Sequence, residues 1–226
     1  MLLPIENLLS KEEVKQMRLH LDQHGWLDGS DTAGGIARTV KFNQQADEQQ
    51  PQIQQLQQFL LQKISRHPLS VSAALPEKIH PPKFNRYADG GSYGLHVDSA
   101  IMYLAGGESL RTDVSATIFL CEPDSYDGGE LVIETQYGAQ SVKLNAGDMI
   151  VYPSSSLHEV RPVTRGARVC SFFWIQSLVR SAQQREQLFD LDQVVQTLTV
   201  ERGADDQQVR SLSALYHNLM RNWAAN

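Results

Sequence analysis

Lys83-Phe-Asn-Arg-Tyr-Ala-Asp-Gly-Gly-Ser-Tyr-Gly-Leu-His-Val-Asp98 decides the fold. Lys83 to Tyr87 reads as a short strand, Asp89-Gly90-Gly91 as a turn, and Leu95 to Asp98 as the next strand. The same rhythm runs on at roughly ten-residue intervals, through Val114 to Cys121, Glu130 to Thr135, Ser141 to Leu144, Met149 to Tyr152, Leu157 to Val160 and Ala167 to Ile175. Turn signals fall between these runs, among them Asp127-Gly128-Gly129, Tyr137-Gly138, Ala146-Gly147-Asp148 and Arg165-Gly166. Eight short strands with this punctuation predict a mainly β fold, a double-stranded β-helix (jelly roll) whose two sheets close over a cavity.

Outward from that core the periodicity becomes helical. Ser10-Lys11-Glu12-Glu13 is a capping box, and Val14, Met17 and Leu21 recur at helical spacing behind it. Ten glutamines between Gln44 and Gln62 suggest low complexity, but Ile53, Leu56, Leu60 and Ile64 lie on one stripe with Pro51 in the first turn, so a helix packed on the sheet is predicted. His67-Pro68 should end it. Gly25 to Gly35 reads as a connector, or alternatively a lid, leading to a short strand Thr39-Val40-Lys41-Phe42. After Ser177, stripes at Leu188, Leu191, Val195, Leu198 and at Val209, Leu212, Tyr216, Leu219, Trp223 predict a helical hairpin, with Asp205 or Asp206 capping its second arm. The hairpin is expected to cover the barrel; a homodimer contact is the alternative. The expected division is 1–77 as N-terminal support, 78–178 as the jelly-roll domain and 179–226 as a C-terminal helical extension.

Composition bounds the function. With 41% hydrophobic and 20% charged residues among 226, the chain is long enough to bury a sizeable core. A net charge of −6 gives no basic field, so nucleic acid is not an expected partner. Cys121 and Cys170 sit in apolar runs and read as buried free thiols. The N-terminus lacks the basic lead of a signal peptide and no run is long enough to span a bilayer, so the expectation is a cytoplasmic protein with no membrane partner.

Residues two apart on a strand project to the same side, so His96 and Asp98 can grip one ion, with His158 as a third ligand. The triplet alone is weak, and the surrounding strands and turns give it weight. Two imidazoles and one carboxylate on one face form the facial triad used for non-haem Fe(II), with positions left for a chelating 2-oxo acid and for O₂. Arg168, whose planar guanidinium pairs with a carboxylate bidentately, is placed to anchor such an acid if it faces inward with Cys170, Phe172 and Trp174. The competing reading for Arg168 is an outward residue in a surface ion pair. A Zn²⁺ hydrolase on a cupin-like barrel would use the same three ligands. His20 and His24, Glu130 and Glu134, Arg161 and Arg165 read as solvated surface groups, and His80 as a local packing residue.

The chain resembles the bacterial PKHD-type hydroxylases of the Fe(II)- and 2-oxoglutarate-dependent, prolyl-hydroxylase-like superfamily. Phe84-Asn-Arg-Tyr87, His96-Val-Asp98, Arg111-Thr-Asp-Val-Ser-Ala-Thr117, Tyr126-Asp-Gly-Gly-Glu-Leu131, Tyr152-Pro-Ser-Ser-Ser-Leu-His158, and Pro162-Val-Thr-Arg-Gly-Ala-Arg168 running into Ser171 to Ser177 carry the likeness. It implies that His96, Asp98 and His158 bind Fe(II), that Arg168 binds 2-oxoglutarate where many relatives carry Lys, and that Tyr87 hydrogen-bonds the same co-substrate. The implied reaction couples decarboxylation of 2-oxoglutarate to succinate and CO₂ with hydroxylation of a peptide, a siderophore or another small molecule. The resemblance also brings in L-ascorbate as a re-reductant of iron and a link to iron uptake. A non-catalytic iron and 2-oxoglutarate sensor uses the same site without turnover.

Overall fold

A computed structural model describes residues 1–23, 25–29, 39–104 and 106–224. The chain runs through β1 (Leu3–Ile5), α1 (Lys11–Gln23), β2 (Leu27–Asp28), β3 (Lys41–Phe42), β4 (Gln44–Gln45), α2 (Pro51–Arg66), α3 (Pro68–Ala74) and β5 (Pro76–Ile79). The β-rich middle comprises β6 (Lys83–Ala88), β7 (Ser92–His96), β8 (Ile101–Tyr103), β9 (Ser109–Arg111), β10 (Val114–Phe119), β11 (Asp127–Gly128), β12 (Leu131–Thr135) and β13 (Gly138–Val142). It continues with β14 (Met149–Pro153), β15 (His158–Val160), β16 (Val163–Arg165) and β17 (Ala167–Ser177), and α4 (Ala182–Arg202) and α5 (Gln207–Trp223) close the chain.

Two antiparallel sheets face each other. The larger has the order β1-β14-β10-β17-β6-β4-β2, with β5 added alongside β17; the smaller is β13-β12-β15-β7-β3. β17 lies at the centre of the larger sheet, and its odd and even positions serve different layers. Val169, Phe173 and Ile175 join Ala116, Ile118, Met149 and Val151 in an apolar layer under α1 and α2, where Met17, Leu21, Ile53, Leu60 and Ile64 meet them. Cys170 joins Phe119, Ile150 and Tyr152 in the layer between the sheets, against Leu131, Ile133 and Val160.

The helices follow their sequence signals. Ser10 Oγ accepts from Glu13 N–H (3.2 Å) and Glu13 Oε2 accepts from Ser10 N–H (2.8 Å), closing the capping box. α2 begins with Pro51 at its first turn and buries Ile53, Leu60 and Ile64. Asp206 caps α5 by accepting from Gln208 and Val209 N–H. Both cysteines are free and buried. Among the described residues no helix is long and apolar enough to cross a membrane.

Four details differ from the sequence expectation. His67-Pro68 ends α2 but does not end helix, because Pro68 starts α3 at the position where a missing N–H costs nothing. The strand expected over Thr39 to Phe42 is confined to Lys41–Phe42, and a further strand forms at Gln44–Gln45. β7 stops at His96, so Asp98 reaches the site from the loop beyond the strand and not from within it. The C-terminal hairpin packs through Leu188, Tyr216, Leu219 and Trp223 against Leu75 and Val179, at the end of α3 and the exit of β17. It contributes no residue to the central cavity among those described. Of the expected 25–35 connector, residues 30–35 lie outside the described residues, as does His24 of the His20/His24 pair; Leu27–Asp28 within it forms β2.

Candidate functional site

β7 and β15 run antiparallel with His96 directly opposite His158, so both imidazoles leave the smaller sheet on its inner side. The register slips between His158 and Val160, and Tyr93 comes onto the same side, stacking on His96 with ring centroids 3.6 Å apart and planes at 19°. Asp98 completes the group. His96 Nε2 lies 3.9 Å from Asp98 Oδ1 and His158 Nε2 lies 3.8 Å from Asp98 Oδ2. One ligand atom from each residue falls within 4.8 Å of the others, a spacing that lets all three reach a single ion.

The surroundings fix how these groups present themselves. His96 Nδ1 donates to Gly94 C=O (2.8 Å) and His158 Nδ1 donates to Ser156 C=O (2.9 Å). Each bond sets the tautomer with the Nε2 lone pair directed at the shared centre. Burial, and then the neighbouring His158, hold His96 down to about 4, so its ring is neutral near pH 7 and available as a ligand. Asp98 Oδ2 accepts from Ser115 Oγ (2.5 Å), a residue of β10 in the opposite sheet. With that proton committed, Ser115 Oγ accepts in turn from Ser154 Oγ at 2.8 Å. Asp98 is thus oriented across the gap between sheets although no strand carries it.

Arg168 stands on β17 opposite Tyr87 and points inward with Cys170, Phe172 and Trp174, all lining one cavity with His96, Asp98 and His158. It is 1% exposed, which rules out the surface reading. Its guanidinium lies 5.3 Å from the ring centroids of both Tyr87 and Phe119, and Nη1 donates to Cys170 Sγ at 3.0 Å. Nε has no hydrogen-bond partner, and no carboxylate among the described residues pairs with the group. Burial works against its charge, but neighbouring Cys170, Tyr87 and Tyr126 more than offset this, so the proton is held more firmly than usual. Tyr87 accepts from Asn85 Nδ2 (3.2 Å), and burial raises its phenol well above the ordinary range, leaving a protonated O–H beside Arg168.

A buried guanidinium without an acid is costly, and an anionic ligand would relieve that cost. A ligand with a distal carboxylate for Arg168 and a chelating end for the three-residue cluster therefore fits the donor set. The sequence reading singled out His96, Asp98, His158, Arg168 and Tyr87, and the fold brings all five to one cavity. It missed Ser115, Ser154, Asn85 and Tyr93. Ser115 had a signal, a hydroxyl amid the apolar residues of β10; Tyr93 had none, because a bulge placed it. Arg165 pairs with Asp127 in solvent, Arg161 reaches Glu159 at 3.7 Å, and His80 packs edge-on against Trp174, so none of these joins the site.

Comparison with known proteins agrees with this geometry. Residues 82–176 match the model of the 2OG-Fe(II) oxygenase superfamily, and residues 183–225 match the PKHD-type hydroxylase C-terminal domain. A PKHD-type hydroxylase of Acidovorax ebreus (strain TPSY) is 56% identical over 225 residues, covering 99% of both chains. Among solved structures, a Pseudomonas putida prolyl-4-hydroxylase superimposes with a TM-score of 0.54 at 21% identity, over 78% of this chain and 92% of that one. The viral collagen prolyl hydroxylase of Paramecium Bursaria Chlorella virus-1, solved as a 2OG complex, gives 0.52 at 15% identity over 78% and 96%. At these identities the two structures establish the shared fold.

Proposed function

This chain belongs to the PKHD-type hydroxylases and is an oxygenase of the 2OG-Fe(II) superfamily; from that premise we propose that it couples 2-oxoglutarate decarboxylation to substrate hydroxylation at the His96, Asp98 and His158 cluster. The observation that carries the proposal is the buried, acid-free guanidinium of Arg168 in the same cavity as that cluster. Metal ligands alone would suit a Zn²⁺ hydrolase equally well, and such a reaction gives Arg168 no task.

In this reading His96 Nε2, His158 Nε2 and an Asp98 oxygen hold Fe(II). Bound there with 2-oxoglutarate and O₂, the ion supplies the redox chemistry that yields succinate, CO₂ and a hydroxylated C–H position. The protein's own groups do the positioning. Arg168 takes the distal carboxylate through two parallel N–H donors, and the Tyr87 O–H donates to the same co-substrate. Ser115 keeps Asp98 turned toward the imidazoles. The ring pair Phe172 and Trp174, centroids 5.5 Å apart, forms an apolar wall that limits water beside the reacting groups. The fold neighbour solved with 2OG supports the choice of oxo acid.

The test is product formation. Purified protein given Fe(II), 2-oxoglutarate and O₂, with no added substrate, should release succinate in several equivalents per iron, through slow uncoupled turnover. Iron-loaded protein that forms no succinate would refute the catalytic reading. Hydrolysis proceeding without O₂ would favour the zinc alternative.

A further inference from the structure

The C-terminal hairpin lines no part of the cavity among the described residues, yet one of its side chains is tied to the site by hydrogen bonds. Arg185, one turn into α4, is 4% exposed. Its Nη1 donates to Val179 C=O (2.7 Å) and Arg180 C=O (2.8 Å), just past the end of β17, and its Nη2 donates to Asp113 C=O (3.2 Å). Asp113, the residue before β10, is a junction. Its carboxylate accepts from Arg111 Nε and Nη2 (both 2.8 Å) and from Ser177 N–H (2.9 Å), and its own N–H donates to Ile175 C=O (3.0 Å). The carbonyl that Arg185 holds also accepts from Ser154 N–H at 3.3 Å. Both of its lone pairs are thereby used, one by the hairpin and one by the turn that follows β14.

Beyond Ser154 the bonds continue to the metal cluster. Ser154 Oγ donates to Ser115 Oγ (2.8 Å), which donates to Asp98 Oδ2 (2.5 Å). Ser154 also opens the turn that delivers His158: Ser156 N–H donates to Pro153 C=O (3.0 Å), and Ser156 C=O accepts from His158 Nδ1 (2.9 Å). Two of the three candidate ligands are therefore aimed from this one turn. Ser154 and Ser115 are 3% and 2% exposed, so each depends on its protein partners for its direction. The partners behind a metal ligand govern how firmly the ligand holds the ion. What fixes the turn therefore bears on the ion.

We infer that Arg185 is a positioning residue for the metal centre: through Asp113 C=O it fixes the turn at Ser154, and by that route the C-terminal hairpin sets the aim of Asp98 and His158. The inference rests on the Fe(II) reading of the cluster, and its test separates the two. Mn(II), which fills such a site without turnover, is the probe, titrated by EPR onto the full chain well below its melting temperature. The parent should bind a single Mn(II). Ser154→Ala and Arg185→Gln should each weaken it by about 2- to 30-fold, the range in which residues along a coupled network act. The double variant should be no weaker than the weaker single one, because both substitutions break the same route. Leu188→Ala loosens the hairpin on the same helix without touching Asp113, so it should lower the melting temperature and leave Mn(II) affinity at the parent value. Where Arg185→Gln fails to fold, Arg185→Lys, which keeps the buried charge, takes its place in the cycle. Failure of the parent to hold Mn(II) would overturn the proposed function and this inference with it. Parent-like Mn(II) affinity in the Ser154 and Arg185 variants, or losses that multiply in the double variant, overturns this inference alone. A loss in Leu188→Ala equal to that in the Arg185 variant would mark Arg185 as a plain anchor of the hairpin and overturn it too.

Discussion

The two faces of the larger sheet are made by the same strands and differ in almost every physical respect. Toward α1 and α2, β17 offers Val169, Phe173 and Ile175 to a continuous apolar layer. Toward the smaller sheet the alternate positions offer Arg168, Cys170, Phe172 and Trp174, joined by Ser115 and Thr117 of β10 and Asn85 of β6. The outer face gains by excluding water from hydrocarbon. On the inner face, buried polar groups stand close to others they do not fully satisfy, a cost to folding that is kept where a ligand can relieve it. Stability and chemistry are thereby assigned to opposite sides of one sheet, and substitutions on the two sides should have separable consequences.

The sharpest break of that contrast is Asp98→Ala. Loss of the only carboxylate in the cluster should lower iron affinity by more than about 100-fold, beyond the effect of losing an outer hydrogen-bond partner, and abolish succinate formation. Its melting temperature without metal should stay close to that of the parent, as metal titration and calorimetry would show. Arg168→Ala comes next. Removing the partner of a buried carboxylate should weaken 2-oxoglutarate by about 100- to 1000-fold with iron still bound, measured by equilibrium titration. Leu60→Ala, on the outer side, should do the opposite: lose about 2–5 kcal/mol of stability by denaturant unfolding while iron and 2-oxoglutarate affinities hold. The smallest effect belongs to Ser115→Ala, which leaves Asp98 ionised but less firmly oriented. Iron affinity should fall by about 10- to 100-fold with little change in stability.

Much of this contrast could be read before any coordinates. Short strands punctuated by Asp-Gly and Gly-Gly turns gave the jelly roll, and alternation along Ala167 to Ile175 set Arg168 with Cys170 and Trp174. What escaped was whatever lacked a period or depended on distant partners. β2, β3 and β4 have two residues each, too few to show alternation; β3 and β4 are strands because β7 and β6 offer them edges, and β2 because β4 in turn offers it one. β1 carries Pro4, a weak strand former, and is held at the sheet edge by β14. α3 has seven residues, less than the length at which helical periodicity is visible. The loop position of Asp98 and its tie to Ser115 span 17 residues and two sheets, a relation that no local pattern encodes. The hairpin's stripes were legible, but their target, Leu75 and Val179, was set by where α3 and β17 end.

One measurement bears most directly on the claim that the cluster and the guanidinium serve a single ligand-bound centre. 2-Oxoglutarate is titrated anaerobically into Fe(II)-loaded parent, Asp98→Ala and Arg168→Ala protein, following the visible charge-transfer absorption of the chelated ion. The parent should saturate at one 2-oxoglutarate per iron, Asp98→Ala should give no band, and Arg168→Ala should give the band only at far higher concentration. An Arg168→Ala curve coinciding with that of the parent, or an undiminished band in Asp98→Ala, would contradict the account.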